Sequence, residues 1–270
     1  MKNKFYHWAL FVVESRIWIA LGAVSVVVCS YHVASLVPSR RLLLSVFIGT
    51  WFLYFMQRYI PRIQINMENT KAKIGFVFFV LLSLALVWLL MQSAHLRIYA
   101  WLFVFSQPAL FYAMRIKSKK GLFLGLRQIP YIKIIIVAAV WELLVLLPWV
   151  EQKRLVEMPL LYAAMMFFYL VAIIIPFDIR DMQTDSPHMK TVAQMAGKQE
   201  ATRLMYGFLL LAIICVGILA YQKTIQGITP YGFASILVLT LYAVFKKPAS
   251  ARTLYYECIL DGTLVLWILF

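Results

Sequence analysis

The sequence is poor in acidic residues and in cysteine. It has 11 aspartates and glutamates against 26 lysines and arginines in 270 residues. Its three cysteines, Cys29, Cys215 and Cys258, are odd in number and widely spaced, which suggests neither a disulfide framework nor a zinc site. It also has no linker long enough to separate two domains and no low-complexity tract. We therefore expect a single domain over 1–270.

Apolar residues are abundant. They make up 63% of the chain, with a mean hydropathy of +0.83, whereas a soluble domain is roughly 45–50% apolar. A helix that spans a membrane needs about 20 mainly apolar residues, and the sequence offers nine such segments, so we expect an all-α integral membrane protein. The predicted spans are 17–37, 42–60, 74–92, 98–114, 131–150, 158–176, 204–221, 228–245 and 253–270.

The basic residues lie mostly in alternate loops between these spans. Since lysine and arginine accumulate in cytoplasmic loops, we expect the N-terminus in the cytoplasm and the C-terminus on the far side of an inner, cytoplasmic membrane. The net charge of +15 then reflects topology, and we expect no nucleic-acid partner. The apolar run before Glu14 and Arg16 is short and lacks a small-residue cleavage site, which predicts a retained interfacial helix.

Three of the four aspartates, Asp178, Asp181 and Asp185, lie within eight residues. Their i, i+3, i+7 spacing would place them on one face of a helix. Adjacent carboxylates repel one another, and a divalent cation such as Mg²⁺, which takes oxygen ligands, would neutralise them. In the alternative interpretation, Asp178 caps a helix after Pro176 and the other two are solvated.

The segment DIRDMQTD, followed by SPHMKT, resembles the second aspartate-rich motif of the UbiA superfamily of intramembrane prenyltransferases. The motif reads approximately N-x-R-D-x-x-x-D, followed by a glycine-lysine pair and a threonine. In this sequence Asp178 stands at the asparagine-like position and Met189 at the glycine. The next segment, TVAQMAGKQEATRL, resembles the family's following helix. The matching positions are Arg180, Asp181, Asp185, Lys190, Thr191, Gly197, Lys198 and Ala201.

The resemblance implies a helical bundle around a central cavity. It also implies the transfer of a prenyl group from a polyprenyl diphosphate to a small lipid-soluble acceptor, such as an aromatic or quinone-precursor ring, with Mg²⁺ as cofactor. The residues it implies are Asp181 and Asp185 for the metal, Arg180, Asp181 and Asp185 for catalysis, and Lys119, Lys120 and Lys190 for the diphosphate. The clustered spacing adds Asp178 as a third predicted metal ligand.

The sequence departs from the family at its first aspartate-rich motif, which is expected at the end of the second span. No acidic residue occurs between Thr50 and Met67. Gln57, Arg58 and Arg62 occupy this region, and we expect them to contact the diphosphate directly, since arginine forks suit phosphate.

Three hypotheses remain open. The first is an altered prenyltransferase. The second is a catalytically silent protein of the same fold that binds an isoprenoid lipid or a membrane partner. The third is an unrelated transporter or channel component, for which Glu142, Glu257 and Asp261 inside predicted spans are the candidate residues.

Overall fold

The computed structural model describes residues 15–63, 131–154, 158–183, 190–225, 229–245 and 255–270, together with 81, 84, 88, 98, 116, 117, 123 and 124. For 55–63, the four residues 116, 117, 123 and 124, and residue 257, it describes the backbone alone.

The first two helices are α1, Ile17–Val33, and α2, Arg40–Ile63. The predicted spans over 17–37 and 42–60 are confirmed as helices with shifted ends. Helix α1 stops early because Ser35 takes a left-handed conformation with φ 57°. Helix α2 begins after Ser39, whose side-chain oxygen accepts a hydrogen bond from the Leu42 amide at 3.2 Å.

Two short strands lie in the basic segment that was predicted to be a loop. Strand β1, Ile116–Lys117, pairs antiparallel with β2, Phe123–Leu124. This hairpin is the one departure from an all-α architecture among the described residues. The helical residues Leu81, Leu84, Trp88 and Ile98 fall in the predicted third and fourth spans.

Five helices follow: α3, Ile132–Val145; α4, Leu147–Glu151; α5, Leu160–Asp181; α6, Val192–Tyr221; and α7, Thr229–Phe245. The single span predicted over 131–150 is divided at Leu146 into α3 and α4, and two further helices differ from prediction. Helix α5 continues past Pro176, because a proline inside a membrane helix removes one hydrogen bond without ending the helix when neighbours support it. Helix α6 begins twelve residues earlier than the predicted start at 204, with a break at Gly197 (φ 79°, ψ 164°).

The C-terminal segment is irregular where one span was predicted over 253–270. It consists of a π-helix, Tyr255–Leu260, then α8, Asp261–Val265, and a 3₁₀-helix, Leu266–Leu269. Both π-helices and runs of 3₁₀-helix are uncommon, and in this segment the π-helix, the α-helix and the 3₁₀-helix follow one another without a break.

Hydrogen bonds identify the two ends of the bundle. At one end, Tyr31 donates to Glu151 Oε2 at 2.5 Å, and Ser30 and Tyr162 hydroxyls are 3.1 Å apart. These contacts join the ends of α1 and α4 to the beginning of α5. At the opposite end, Trp18 Nε1 donates to the carbonyl of residue 258 at 3.2 Å. Helices α1 and α3 therefore run in one direction and α5 runs in the other.

Aromatic rings fill the interior between these helices. Tyr162 lies 6.1 Å from both Trp149 and Phe233, measured between ring centroids. Trp267 lies 4.9 Å from Phe233 and 5.2 Å from Tyr169. The contacts link α4, α5, α7 and the 3₁₀-helix into one core, and aromatic pairs at such distances stabilise packing beyond their buried area.

Among the described residues, α5 and α6 are long and apolar enough to cross a membrane, and α1, α7 and Cys258–Leu269 are shorter apolar helices. Helix α6 also exposes large apolar side chains, including Leu210, Leu211, Ile214 and Ile218. A face of this kind is stable against lipid and costly in water. A membrane protein is therefore supported, while the count of nine spans, the orientation and the single domain stay predictions.

Candidate functional site

The end of α5 carries two of the three clustered aspartates. Asp178 and Asp181 both lie inside this helix, because α5 runs beyond Pro176 to Asp181. The Asp178 side chain is fully buried, whereas that of Asp181 is 28% exposed. Asp185 lies outside the described residues. The three-residue spacing does bring Asp178 and Asp181 to the same helix end, yet each carboxylate meets a different cation.

Asp178 forms an ion pair with Lys133, a residue in the first turn of α3. Lys133 Nζ lies 2.6 Å from Asp178 Oδ1, and the lysine side chain is 20% exposed. Sequence reasoning placed Lys133 inside a span and gave it no role. The signal that could have found it is the rule that an ionisable residue in an apolar helix faces a partner or a site.

Asp181 pairs with its neighbour Arg180 through both carboxylate oxygens. Arg180 Nε donates to Oδ1 at 2.6 Å, and Nη2 donates to Oδ2 at 2.9 Å. Two parallel charge-assisted hydrogen bonds of this kind fix the orientation of a guanidinium group. The Arg180 side chain stays 25% exposed, so it remains accessible at the end of the helix.

Two aromatic rings also hold Arg180. Its Cζ atom lies 5.2 Å from the ring centroid of Phe177 and 5.3 Å from that of Tyr256, both within the range of a cation–π contact. Tyr256 belongs to the π-helix. The C-terminal segment thus meets the end of α5 at this place.

Lys190 and Thr191 bring the beginning of α6 to the same end. The backbone amide of Tyr131 donates to the Lys190 carbonyl at 3.3 Å, and both residues have positive φ angles, 62° and 46°. Thr191 caps α6 by accepting a hydrogen bond from the Gln194 amide at 3.3 Å. Lys190 is exposed, and its carbonyl partner Tyr131 lies two positions before Lys133 in the chain.

Of the other residues predicted to contact the diphosphate, the structure describes only the backbone of those on α2. Helix α2 runs back from the end of the bundle that holds Tyr31, so its last residues approach the end that holds the aspartates. Gln57, Arg58 and Arg62 lie in this last part of α2, and their side chains are outside the described structure. Lys119 and Lys120 lie between β1 and β2, also outside it. Their roles stay predictions.

The described carboxylates fit a magnesium centre poorly. Mg²⁺ would need oxygen atoms of Asp178 or Asp181 as ligands, and each of these groups is already paired with a cation at 2.6 Å. A divalent ion bound there would lie beside Lys133 and Arg180 and be repelled by both. No group of three or more metal-ligating side chains occurs within the part of the chain that the structure describes.

The acidic residues proposed for a transport pathway lie in two distant parts of the sequence. Both carboxylate oxygens of Glu142 are buried and accept no hydrogen bond in the described part of the chain. Asp261 is 8% exposed and begins α8, and the side chain of Glu257 is outside the described structure. Nothing in the described contacts joins these groups into a pathway.

Comparison with known proteins gives one informative match. No protein-family model matches the sequence, and the search of curated proteins finds no match. Among solved structures, the chain is similar to that of a UbiA homolog from Archaeoglobus fulgidus bound to Cd²⁺, with a TM-score of 0.61 and 11% sequence identity. The similarity covers 97% of this chain and 99% of that chain.

This likeness confirms the UbiA resemblance at the level of the fold. The protein has the UbiA fold over nearly its whole length, which the aspartate segment and the apolar runs predicted. At 11% identity the likeness shows the fold alone. The roles of the individual site residues, the metal and the substrate stay predictions.

Proposed function

We propose that the protein is a UbiA-like membrane prenyltransferase, which transfers a prenyl group from a polyprenyl diphosphate to a small lipid-soluble acceptor. The observation that carries the proposal is the mixed cluster of Lys133, Asp178, Arg180 and Asp181 at one end of a UbiA-fold bundle. A diphosphate headgroup needs a dense group of cations at the membrane surface, and the apolar helices beside it suit a prenyl chain.

The residues of this end would act chiefly by binding and orientation. Arg180 is held by Asp181 and by two aromatic rings, so its guanidinium group is oriented before a ligand arrives. Such preorganised donors stabilise the negative charge that develops on a departing diphosphate. Lys190 is exposed just before α6, and Lys190, Gln57, Arg58, Arg62, Lys119 and Lys120 would add further contacts.

The proposed reaction breaks the bond between prenyl C1 and a diphosphate oxygen, and the electron pair leaves with the diphosphate. The acceptor then attacks the allylic cation and loses a proton to the surroundings. An apolar interior is needed because water would quench the cation. The buried aromatic and aliphatic core around α5 supplies such surroundings.

One observation favours a second candidate, a silent protein that binds an isoprenoid diphosphate without turnover. Asp178 and Asp181, which are predicted metal ligands, are both paired with cations of the chain itself. The first aspartate-rich motif is absent as well. A site without metal ligands can keep its affinity for the headgroup while it loses the reaction.

The test is diphosphate release by the purified full-length protein in nanodiscs. Geranyl, farnesyl and geranylgeranyl diphosphate would be offered with quinone-precursor acceptors, with Mg²⁺ and with EDTA. The Asp181→Ala, Asp185→Ala double variant is compared with Glu200→Ala, which removes an exposed carboxylate elsewhere on α6.

Release by the wild type and by Glu200→Ala, with loss in the double variant, would support the transferase. Tight binding of the diphosphates without release under any condition would support the silent protein. Neither binding nor release would contradict both proposals and leave the transporter hypothesis to be tested by solute flux in liposomes. The Mg²⁺ cofactor stays a prediction that the EDTA samples decide.

A further inference from the structure

The described cations at the candidate site outnumber its described carboxylates. The described contacts place three cations at this end, Lys133, Arg180 and Lys190, and two carboxylates, Asp178 and Asp181. Their sum is positive, whereas a site built on paired aspartates is negative until a divalent cation binds. An anion approaching this end is therefore attracted by the protein itself.

The negative charges of the two carboxylates are neutralised by different cations. The Asp178 side chain is fully buried against Lys133, where a carboxylate requires a counter-charge. Asp181 is held in the fork of Arg180, and Arg180 is fixed by the Phe177 and Tyr256 rings. Both counter-charges come from side chains of the chain itself.

We propose that Lys133 and Arg180 replace the divalent cation as built-in counter-charges, so that this protein binds the diphosphate group of a prenyl diphosphate without a metal. The inference rests on the proposed diphosphate site and specifies how that site is neutralised. Lys133 acts through Asp178 as a positioning residue, while Arg180, which is partly exposed, and Lys190, which is exposed, face the headgroup.

The inference makes a specific prediction about Lys133. In Lys133→Met, the Asp178 carboxylate loses this counter-charge, so the site becomes more negative and gains a carboxylate that a metal can use. Binding of farnesyl diphosphate should weaken by about tenfold or more in EDTA, and Mg²⁺ should restore it. In the Lys133→Met, Asp178→Asn double variant the net charge is that of the wild type, and binding should again be independent of metal.

The experiment is equilibrium binding of labelled farnesyl diphosphate to the full-length protein in nanodiscs, with EDTA and with Mg²⁺. Binding of farnesol, which lacks the diphosphate, is measured on the same samples to show that each variant keeps its lipid-binding fold. The wild-type comparison alone is decisive even if Lys133→Met fails to fold. We expect wild-type affinities that agree within about threefold in EDTA and in Mg²⁺, a difference below one kcal/mol.

Three outcomes are distinguishable. Equal wild-type affinity in both conditions, with acquired Mg²⁺ dependence in Lys133→Met, supports the inference. Wild-type binding that is lost in EDTA and restored by Mg²⁺ overturns the inference and leaves the proposed function intact. Absence of farnesyl diphosphate binding in either condition, with farnesol still bound, overturns the inference and the proposed diphosphate site together.

Discussion

Removing Lys133 should destabilise the protein more than removing its partner Asp178. At a separation of 2.6 Å, two unit charges attract by about 6 kcal/mol at an effective dielectric constant near 20, before desolvation is subtracted. Breaking a buried pair from one side costs about 3–5 kcal/mol, because the remaining charge is left in the interior. Lys133→Met should show this loss, since the Asp178 side chain is fully buried.

Asp178→Asn should cost less, about 1–2 kcal/mol, within the usual range for one substitution. The reason is that the Lys133 side chain is 20% exposed and lies in the first turn of α3, so its ammonium group can reach water or lipid headgroups. The double variant Lys133→Met, Asp178→Asn buries no charge at this position. It should therefore be more stable than Lys133→Met by about 2 kcal/mol or more.

The assay measures, by size-exclusion chromatography, how much monodisperse protein remains in detergent after heating. The reported quantity is the midpoint temperature, at which half of it is lost. A matched control is Arg203→Met, which breaks an exposed pair with Glu200 whose side chains are 66% and 53% exposed. It should change stability by less than about 1 kcal/mol. A midpoint for Lys133→Met equal to that of Arg203→Met, or a double variant with additive losses, would refute the reasoning.

Substitutions at three further positions test the beginning of α6 and the contacts of Arg180. Thr191→Ala removes the cap of α6 and should lower stability by about 1 kcal/mol in the same heating assay, whereas Thr191→Ser should not; equal losses would contradict this. Gly197→Ala places a side chain at φ 79° and should cost about 1–2 kcal/mol, and an unchanged midpoint would show that the break in α6 straightens. Tyr256→Leu should weaken farnesyl diphosphate binding by about two- to fivefold through loss of the cation–π contact with Arg180, while Tyr256→Phe should not; an equal effect of both would assign the tyrosine hydroxyl instead.

Much of the helical arrangement could be predicted from the sequence, because apolar runs of membrane length leave little choice of structure. The helices over 17–33 and 229–245 lie within the segments predicted from hydropathy. The helix ends were predicted less accurately where packing between helices outweighed a local sequence rule. Pro176 was taken to end a span, yet α5 continues to Asp181, since the helices packed around α5 support the turn that lacks a hydrogen bond.

The partners of the site residues could not be predicted. The i, i+3 spacing correctly placed Asp178 and Asp181 on one helix, but the cation that neutralises Asp178 comes from 45 positions earlier in the chain. Such a contact depends on how α3 packs against α5, which no local pattern encodes. The same holds for Tyr256, whose ring reaches Arg180 only because a π-helix begins the C-terminal segment.

Two features of this end bear on whether the proposed site needs a metal ion. The end of α2, where the family carries acidic residues, has arginines at positions 58 and 62 and no carboxylate between Thr50 and Met67. At the end of α5, Lys133 pairs with Asp178, and Arg180, which the family motif also carries, pairs with Asp181. In the proposed diphosphate site, the arginines of α2 add positive charge and the two ion pairs leave neither described aspartate without a counter-charge. Restoring aspartates on α2 alone would therefore not create a metal site, because Asp178 would remain paired; a metal requirement should appear only when Lys133 is replaced as well, as measured by farnesyl diphosphate binding in EDTA and in Mg²⁺.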